Sequence, residues 1–494
     1  MPRCSKIAFA TGAAALVVGL PGAAILSDAA SGPRDSVSPR DSGGSRPPPQ
    51  PNVIFISVDT LRADHLGCYG YERDTSPQID ALAARAVRFA NAFSQASWTL
   101  PSHISMMTSQ YPHVHGVHDN GTALPPDATT LAGVLSERGY DTAAFVSWVY
   151  LGKTYGFDRG FDEFNELLPP EDKIDSETSS AYKAEQVTDE AIRWLERPHE
   201  EPFFLFLHYF DPHMNYEAPE PYRSMFDPEY AGAADGSFGW LKEYIKGCHR
   251  TPNQIDSRSL EHVKALYDGE IRYTDTHLGR LFDALDGLLR LDNCLIIFTS
   301  DHGEEFNEHG SLEGHQWTLY DEVIHVPLIV RLPGDERAGE TVEGPVQLID
   351  IATTILRLLE IPVPGAFQGR DLRPWIAGAA PTGEPLAAFG EIDRFNRKQY
   401  VRTERYKLIH TDDIGENKRG VPVEPGYELY DLLRDPAEQR DALEQHAAVA
   451  GELMWRLERH RRSHADAAPV SPAPGIPLSD TELSRLRSLG YVAD

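Results

Sequence analysis

Cysteine is scarce in this chain: four in 494 residues, at positions 4, 68, 248 and 294. Cys4 precedes an apolar run that reads as an export signal, so a processed chain would keep three, an odd set that builds no disulfide framework. A single Cys68–Cys248 bridge cannot be tested from sequence, and Cys294, inside an apolar stretch, reads as a small buried hydrophobe. Positive charge is also short. Lys and Arg number 46 against 75 Asp and Glu, a formal net charge of -29. Such a chain would be repelled by a phosphate backbone, which excludes broad nucleic-acid binding. The balance suits a soluble enzyme in which a local cation cluster handles an anion. No internal repeat is present. No cysteine stands where a lipoprotein signal needs one.

What is present at the start is an export pattern. Arg3 and Lys6 form a basic opening, Ile7 to Leu26 an apolar stretch, and Ser27-Asp28-Ala29 a small-residue cleavage point. Residues 1–30 are therefore expected to be a signal peptide or, if uncleaved, an anchor. The Ser-, Gly-, Pro- and Arg-rich residues 31–51 read as a disordered linker. The expected location is periplasmic or extracellular, with membrane contact only if the N-terminal segment stays attached. Oligomeric state is not legible.

Beyond the linker, short apolar runs alternate with amphipathic segments, the signature of an α/β fold. Val53–Val58, Thr142–Val146, Phe203–His208, Leu295–Ser300 and Val326–Val330 suit a buried parallel sheet. Thr130–Arg138, Gln186–Leu195 and Asp275–Leu289 are expected helices, and Asp350 is expected to cap another. Two of the runs end in metal-ligand residues: the first in Asp59, the fourth in Asp301-His302-Gly303-Glu304. Open α/β sheets carry their chemistry at the carboxyl ends of their strands. Thr99, in Ser97-Trp98-Thr99-Leu100-Pro101-Ser102-His103, supplies a hydroxyl that a shared cation could turn into a nucleophile. A helix N-cap before Pro101 is the ordinary role for such a Thr.

These stretches resemble the sulfatase and alkaline phosphatase superfamily from about Asn52 to the C-terminus. The resemblance rests on Val58-Asp59-Thr60-Leu61-Arg62-Ala63-Asp64, on the Thr99 stretch with Tyr111-Pro112, and on Thr299-Ser300-Asp301-His302-Gly303-Glu304. It implies a large, mostly parallel sheet flanked by helices over 52–384 and a smaller C-terminal α+β domain over 385–494. In that domain Ala387–Ile392, Gln399–Thr403 and Tyr406–His410 read as antiparallel strands, Tyr427–Asp431 introduces a last helical region, and Asp480–Val492 is a closing amphipathic piece. The resemblance further implies one divalent ion (Ca2+, Mn2+ or Zn2+) held by Asp59, Thr99, Asp301 and His302.

The chain departs from the sulfatase pattern where it matters most. Sulfatases carry Cys-x-Pro-Ser-Arg, sometimes with Ser first, and oxidise that first residue to formylglycine. Here the first position is Thr99 and the Arg position is His103. A hydroxyl on a secondary carbon cannot give the aldehyde, so no formylglycine is expected. Threonine nucleophiles occur in phosphate-handling relatives. The Lys and His of the family's Gly-Lys-Trp-His are Ser147 and Val149, and a usual substrate-binding Lys is His315.

By the same resemblance Asn120 would hold a phosphoryl oxygen, although Asn-Gly is also a common turn. His213 and His315 would contact substrate and assist the departing group, and His103 would contact substrate. Asp211, His213 and His315 would form a second metal site if one exists. Specificity is expected in the insertions Leu167–Ala181 and Asp227–Ser257. The expected function is hydrolysis of phosphate or phosphonate esters, small molecules or headgroups, with Thr99 as nucleophile. The alternatives are a sulfatase working without formylglycine, a membrane-anchored phospho-headgroup transferase, and a non-catalytic binding relative.

Overall fold

The computed structural model describes residues 50–494 apart from 170–182, 200–201, 246–254, 289, 313–314, 380–385, 418–422, 466–470, 489–490 and 492–494. The expected signal segment, almost all of the linker, Cys248, most of the 167–181 insertion and the 384/385 domain boundary lie outside the described residues. Among those described, no helix is long and apolar enough to cross a membrane.

Nine strands make the main sheet: β1 (Asn52–Val58), β2 (Val87–Phe93), β3 (Asp141–Val146), β4 (Glu163–Glu166), β5 (Phe203–Tyr209), β6 (Cys294–Ser300), β7 (His325–Arg331), β8 (Thr341–Val342) and β9 (Val346–Gln347). Their order is β4-β3-β5-β1-β6-β7-β2-β8, with β9 also on β2. The Val53-Ile54-Phe55-Ile56 run is buried on both faces, which is why β1 sits at the centre and reads as unbroken hydrophobicity. Each such side chain removed from water contributes about 1.5–3 kcal/mol. The helices Ala184–Leu195 and Ser257–Gly287 pack against each other, and the first lies on β5.

A second sheet, β10 (Ala388–Asp393), β11 (Arg397–Arg402), β12 (Tyr406–Thr411) and β13 (Gly426–Asp431), is antiparallel throughout. Its own small core joins Val401, Leu408 and Leu429 to Ala450, Leu453 and Leu457 of the Ala447–Ala465 helix.

Four expectations differ from this architecture. Val326–Val330 lies in β7, which runs antiparallel to both β6 and β2; an apolar run carries no information on direction. Tyr427–Asp431 is the fourth strand of the small sheet rather than the lead into a helix, its backbone paired to β12. The helix that begins with Asp350 is not capped by it: the carboxylate accepts from the Gln347 N–H at 2.9 Å and pairs with Arg370 at 2.6 Å. Thr99 is likewise not a cap, because extended Trp98 holds that position and Thr99 is the first helical residue of Thr99–Thr108. β2, which the sequence reading passed over, feeds the segment that carries Thr99.

Candidate metal and nucleophile centre

Strand register assembles the site. β1 and β6 pair in parallel with Val58 opposite Ser300, so Asp59 and Asp301 emerge side by side at one sheet edge. His302 follows at once, and its Nδ1–H donates to the Gly303 carbonyl at 2.9 Å, which leaves Nε2 facing the two carboxylates. Nε2 lies 3.3 Å from Asp301 Oδ2 and 3.7 Å from Asp59 Oδ1. The Thr99 hydroxyl is 3.5 Å from Asp59 Oδ2 and 3.4 Å from His302 Nε2, at the start of a helix whose N-terminal end favours negative charge. Gly303 holds the turn close: a Cβ there would meet the Glu322 carbonyl oxygen at 2.1 Å.

All four side chains are buried. Burial raises the pKa of both Asp59 and Asp301, and the charge of Asp59 raises Asp301 further. Burial opposes the charge on His302, yet Asp301 and Asp59 together hold its pKa above the usual imidazole value. Asp59 Oδ1 and Asp301 Oδ2 have no hydrogen-bond partner. Ligand atoms of Asp59, Asp301 and His302 gather within 4.8 Å of one another. Two adjacent buried carboxylates with unpaired oxygens and a lone imidazole nitrogen fit a divalent cation.

Other expected site residues fall differently. His103 is fully buried behind the centre: its Nδ1–H donates to the Thr99 carbonyl and its Nε2 accepts from the Ser57 hydroxyl, each at 2.9 Å. Burial lowers its pKa to about 3. It braces the Thr99 helix, and both of its nitrogens are engaged by the protein.

Asp211 is turned away from the expected second metal site. It accepts from the Ala184 N–H at 2.7 Å and pairs with Lys183 at 3.0 Å, capping the Ala184–Leu195 helix. With its carboxylate engaged there, the Asp211, His213 and His315 cluster does not form. Asn120 receives a bond from Tyr155 Oη on its carbonyl at 3.0 Å, and no contact joins its side chain to the Thr99 cluster.

His213 and His315 do come together, with ring centroids 5.1 Å apart, and the His315 ring stacks on His302 at 4.9 Å. His213 Nδ1–H donates to the Met214 carbonyl, and Tyr491 Oη then donates to His213 Nε2 at 2.7 Å while lying 3.3 Å from His315 Nε2. Burial lowers the pKa of His213 to about 3 and takes His315 well below its usual value.

Two residues, His208 and Arg394, were not singled out from sequence, and Glu304 was read only as part of the Asp301 stretch, without its contact. His208 Nε2 is 3.4 Å from Asp59 Oδ2, a contact that follows from the Ser57–His208 register of β1 and β5. Buried Glu304 lies 3.0 Å from His315 Nδ1. Arg394 comes from the far sheet. A polar residue at alternate spacing in an apolar strand was the available signal for His208. The other two depend on long-range packing.

A mostly parallel sheet with carboxylates, imidazole and hydroxyl at its strand ends, joined to a small antiparallel lobe, defines an alkaline phosphatase-like ester hydrolase. Comparison with known proteins gives the family. The chain belongs to the sulfatase family, whose model matches residues 51–361, while the model "N-sulphoglucosamine sulphohydrolase, C-terminal" matches 308–463. It is 26% identical to an N-acetylglucosamine-6-O-sulfatase of Bacteroides thetaiotaomicron, over 85% of this chain and 88% of that protein. It is 27% identical to mouse iduronate 2-sulfatase, over 63% of this chain and 69% of that one. The phosphonate monoester hydrolase of Agrobacterium radiobacter superposes with a TM-score of 0.67 and 26% identity, covering 87% of this chain and 100% of that one.

Proposed function

We propose that this protein is an exported, metal-dependent hydrolase of phosphate or phosphonate esters in which Thr99 is the nucleophile. The observation that carries the reading is the Thr99 hydroxyl set between Asp59 and His302 in a buried carboxylate cluster. A bound Ca2+, Mn2+ or Zn2+ on Asp59, Asp301, His302 and Thr99 would supply positive charge and lower the pKa of the hydroxyl.

The chain's own groups do the rest. Asp59 Oδ2 accepts the Thr99 proton as Thr99 Oγ1 bonds to phosphorus and the P–O bond to the alcohol breaks. The departing oxygen takes a proton from water held on the His213 and His315 side, and the resulting hydroxide is the species that next attacks phosphorus. The phosphothreonine P–O bond then breaks, phosphate or phosphonate leaves, and Asp59 returns its proton to the Thr99 oxygen, which restores the hydroxyl. The start of the Thr99–Thr108 helix stabilises charge on the transferring group.

A second reading, sulfate-ester hydrolysis without formylglycine, is favoured by the names of the relatives, most of which are sulfatases. Turnover of p-nitrophenyl phosphate, bis-p-nitrophenyl phosphate, a phosphonate monoester and p-nitrophenyl sulfate, with metal content measured on the same preparation, separates the two. Cleavage of the sulfate ester alone would overturn the phosphoester reading.

A further inference from the structure

The β10–β11 hairpin belongs to the small sheet in sequence and to the catalytic centre in space. The Glu391 N–H donates to the Gln95 carbonyl at 2.9 Å and Tyr400 Oη donates to the Ser94 carbonyl at 2.6 Å, so the hairpin docks on the segment leading to Thr99. Its turn is pinned on the other side, where Phe395 stacks on Trp317 at 4.0 Å. Arg394 thereby lies over Trp98, the residue preceding Thr99, with its guanidinium carbon 4.2 Å from the ring centroid.

This arginine differs from three other buried arginines. Arg331 pairs with Asp335, Arg402 with Asp321, and Arg62 with Asp64 and Glu308. Arg394 is 4% exposed and has no carboxylate partner among the described residues; its Nη2 donates to the Tyr491 carbonyl at 3.4 Å, and its Nε and Nη1 make no full hydrogen bond, with the Tyr150 hydroxyl as their neighbour. Nearby, Ser97 Oγ and Trp148 Nε1 are also buried without a hydrogen bond, and Tyr150 Oη faces Arg394. The rings tie these groups into one wall: Trp98 to Tyr150 at 5.5 Å and Tyr150 to Trp148 at 5.9 Å. Tyr491 joins the wall to the centre: its carbonyl accepts from Arg394, its ring lies 5.8 Å from that of Trp148, and its Oη is 3.3 Å from His315 Nε2. A buried cation and several donors left unmet call for an acceptor that the chain does not provide.

We propose that Arg394 forms a second anion subsite beside Thr99, so that the natural ester carries a second sulfate or phosphate group, gripped by Arg394 with Ser97, Trp148 and Tyr150. The proposal rests on the ester-hydrolase reading and names its substrate class: a doubly anionic ester. A planar guanidinium whose Nε and Nη1 are unmet can donate to a tetrahedral oxyanion, and the positions Ser147, Val149 and His315 supply no lysine or arginine to compete for it.

Calorimetry on full-length, metal-loaded Thr99→Ala protein tests it with two matched probe pairs. These are glucose 6-phosphate against glucose 1,6-bisphosphate, and glucosamine 6-sulfate against glucosamine-2-N,6-O-disulfate. In at least one pair the doubly charged member should bind roughly 10- to 100-fold more tightly. Arg394→Gln should erase that advantage and Arg394→Lys should keep part of it. The pair that responds identifies the anion. Should Arg394→Gln not fold, Tyr150→Phe is expected to reduce the same advantage.

Equal affinities within both pairs, no binding by any probe, or an advantage that survives Arg394→Gln would overturn the subsite. Failure of the Thr99 reading would show differently, as ester turnover persisting in Thr99→Ala, and would leave the binding difference intact.

Discussion

At the scale of single residues, the centre turns on two carboxylates that repel each other and one hydroxyl. Asp301→Asn keeps the shape of the side chain but removes the charge that makes the pair a cation site. It should lose bound metal and turnover together while circular dichroism shows a folded protein; full metal content with full activity would sink the assignment. Thr99→Ala should lower turnover roughly 10^4- to 10^6-fold, as nucleophile deletions do. Acid quenching of the native enzyme with a labelled phosphoester should leave label on Thr99. Thr99→Cys should not become a sulfatase beside a formylglycine-generating enzyme, because His103 still occupies the motif's Arg position.

Asp59, Thr99, Asp301 and His302 could be read from sequence because each sits in or just after a locally recognisable segment. The placement of His208 and Arg394, and the contact of Glu304 with His315, could not, since they depend on which strands and lobes become neighbours. His103 and Asp211 were legible as polar residues near the site but not in orientation: the first turns into the sheet and the second towards a helix end.

Elements carry the next set of effects. The turn after β6 works only with glycine at 303, because an added methyl would strike the Glu322 carbonyl at 2.1 Å. Gly303→Ala should cost about 1–3 kcal/mol of stability and displace His302, measurable as a lower melting temperature and weaker metal retention. The Asp321–Ile324 helix just before β7 contributes a titrating tie. His309 Nδ1 meets Glu322 at 2.5 Å and Nε2 donates to the Glu438 carbonyl at 3.0 Å. Burial opposes the charge on His309, but Glu322 and that carbonyl raise its pKa to about 9. A folded-state pKa above the unfolded value of about 6.5 stabilises fully below that lower pH and is lost as pH climbs through about 9. Native protein should therefore lose more melting temperature between pH 7 and 9.5 than His309→Gln does. Equal losses would refute the tie. Element identity was well marked in the sequence, whereas the reversed direction of β7 was not, because burial on both faces gives the same run of Val, Leu and Ile in either sense.

For the molecule as a whole, the metal should act as a fold stabiliser as well as a reactant. Its expected ligands reach one point only when β1, the segment after β2, and β6 are all in place, so a cation held there would bind the native state alone. With free metal at 100 to 1,000 times the dissociation constant, the stabilisation is about 2.7–4.1 kcal/mol. Chelation should lower the melting temperature by several degrees and re-addition should restore it; an unchanged melt would mean the centre folds equally well without a cation.

The docking of Tyr400 and Glu391 on the Ser94–Gln95 backbone has a consequence in time as well as in space. During synthesis Thr99 leaves the ribosome some three hundred residues before the hairpin that walls its pocket. A nascent chain shorter than that carries the Thr99 hydroxyl without the residues of the small sheet that dock beside it. The wall that Arg394 completes over Trp98 therefore forms only after the C-terminal sheet has been made.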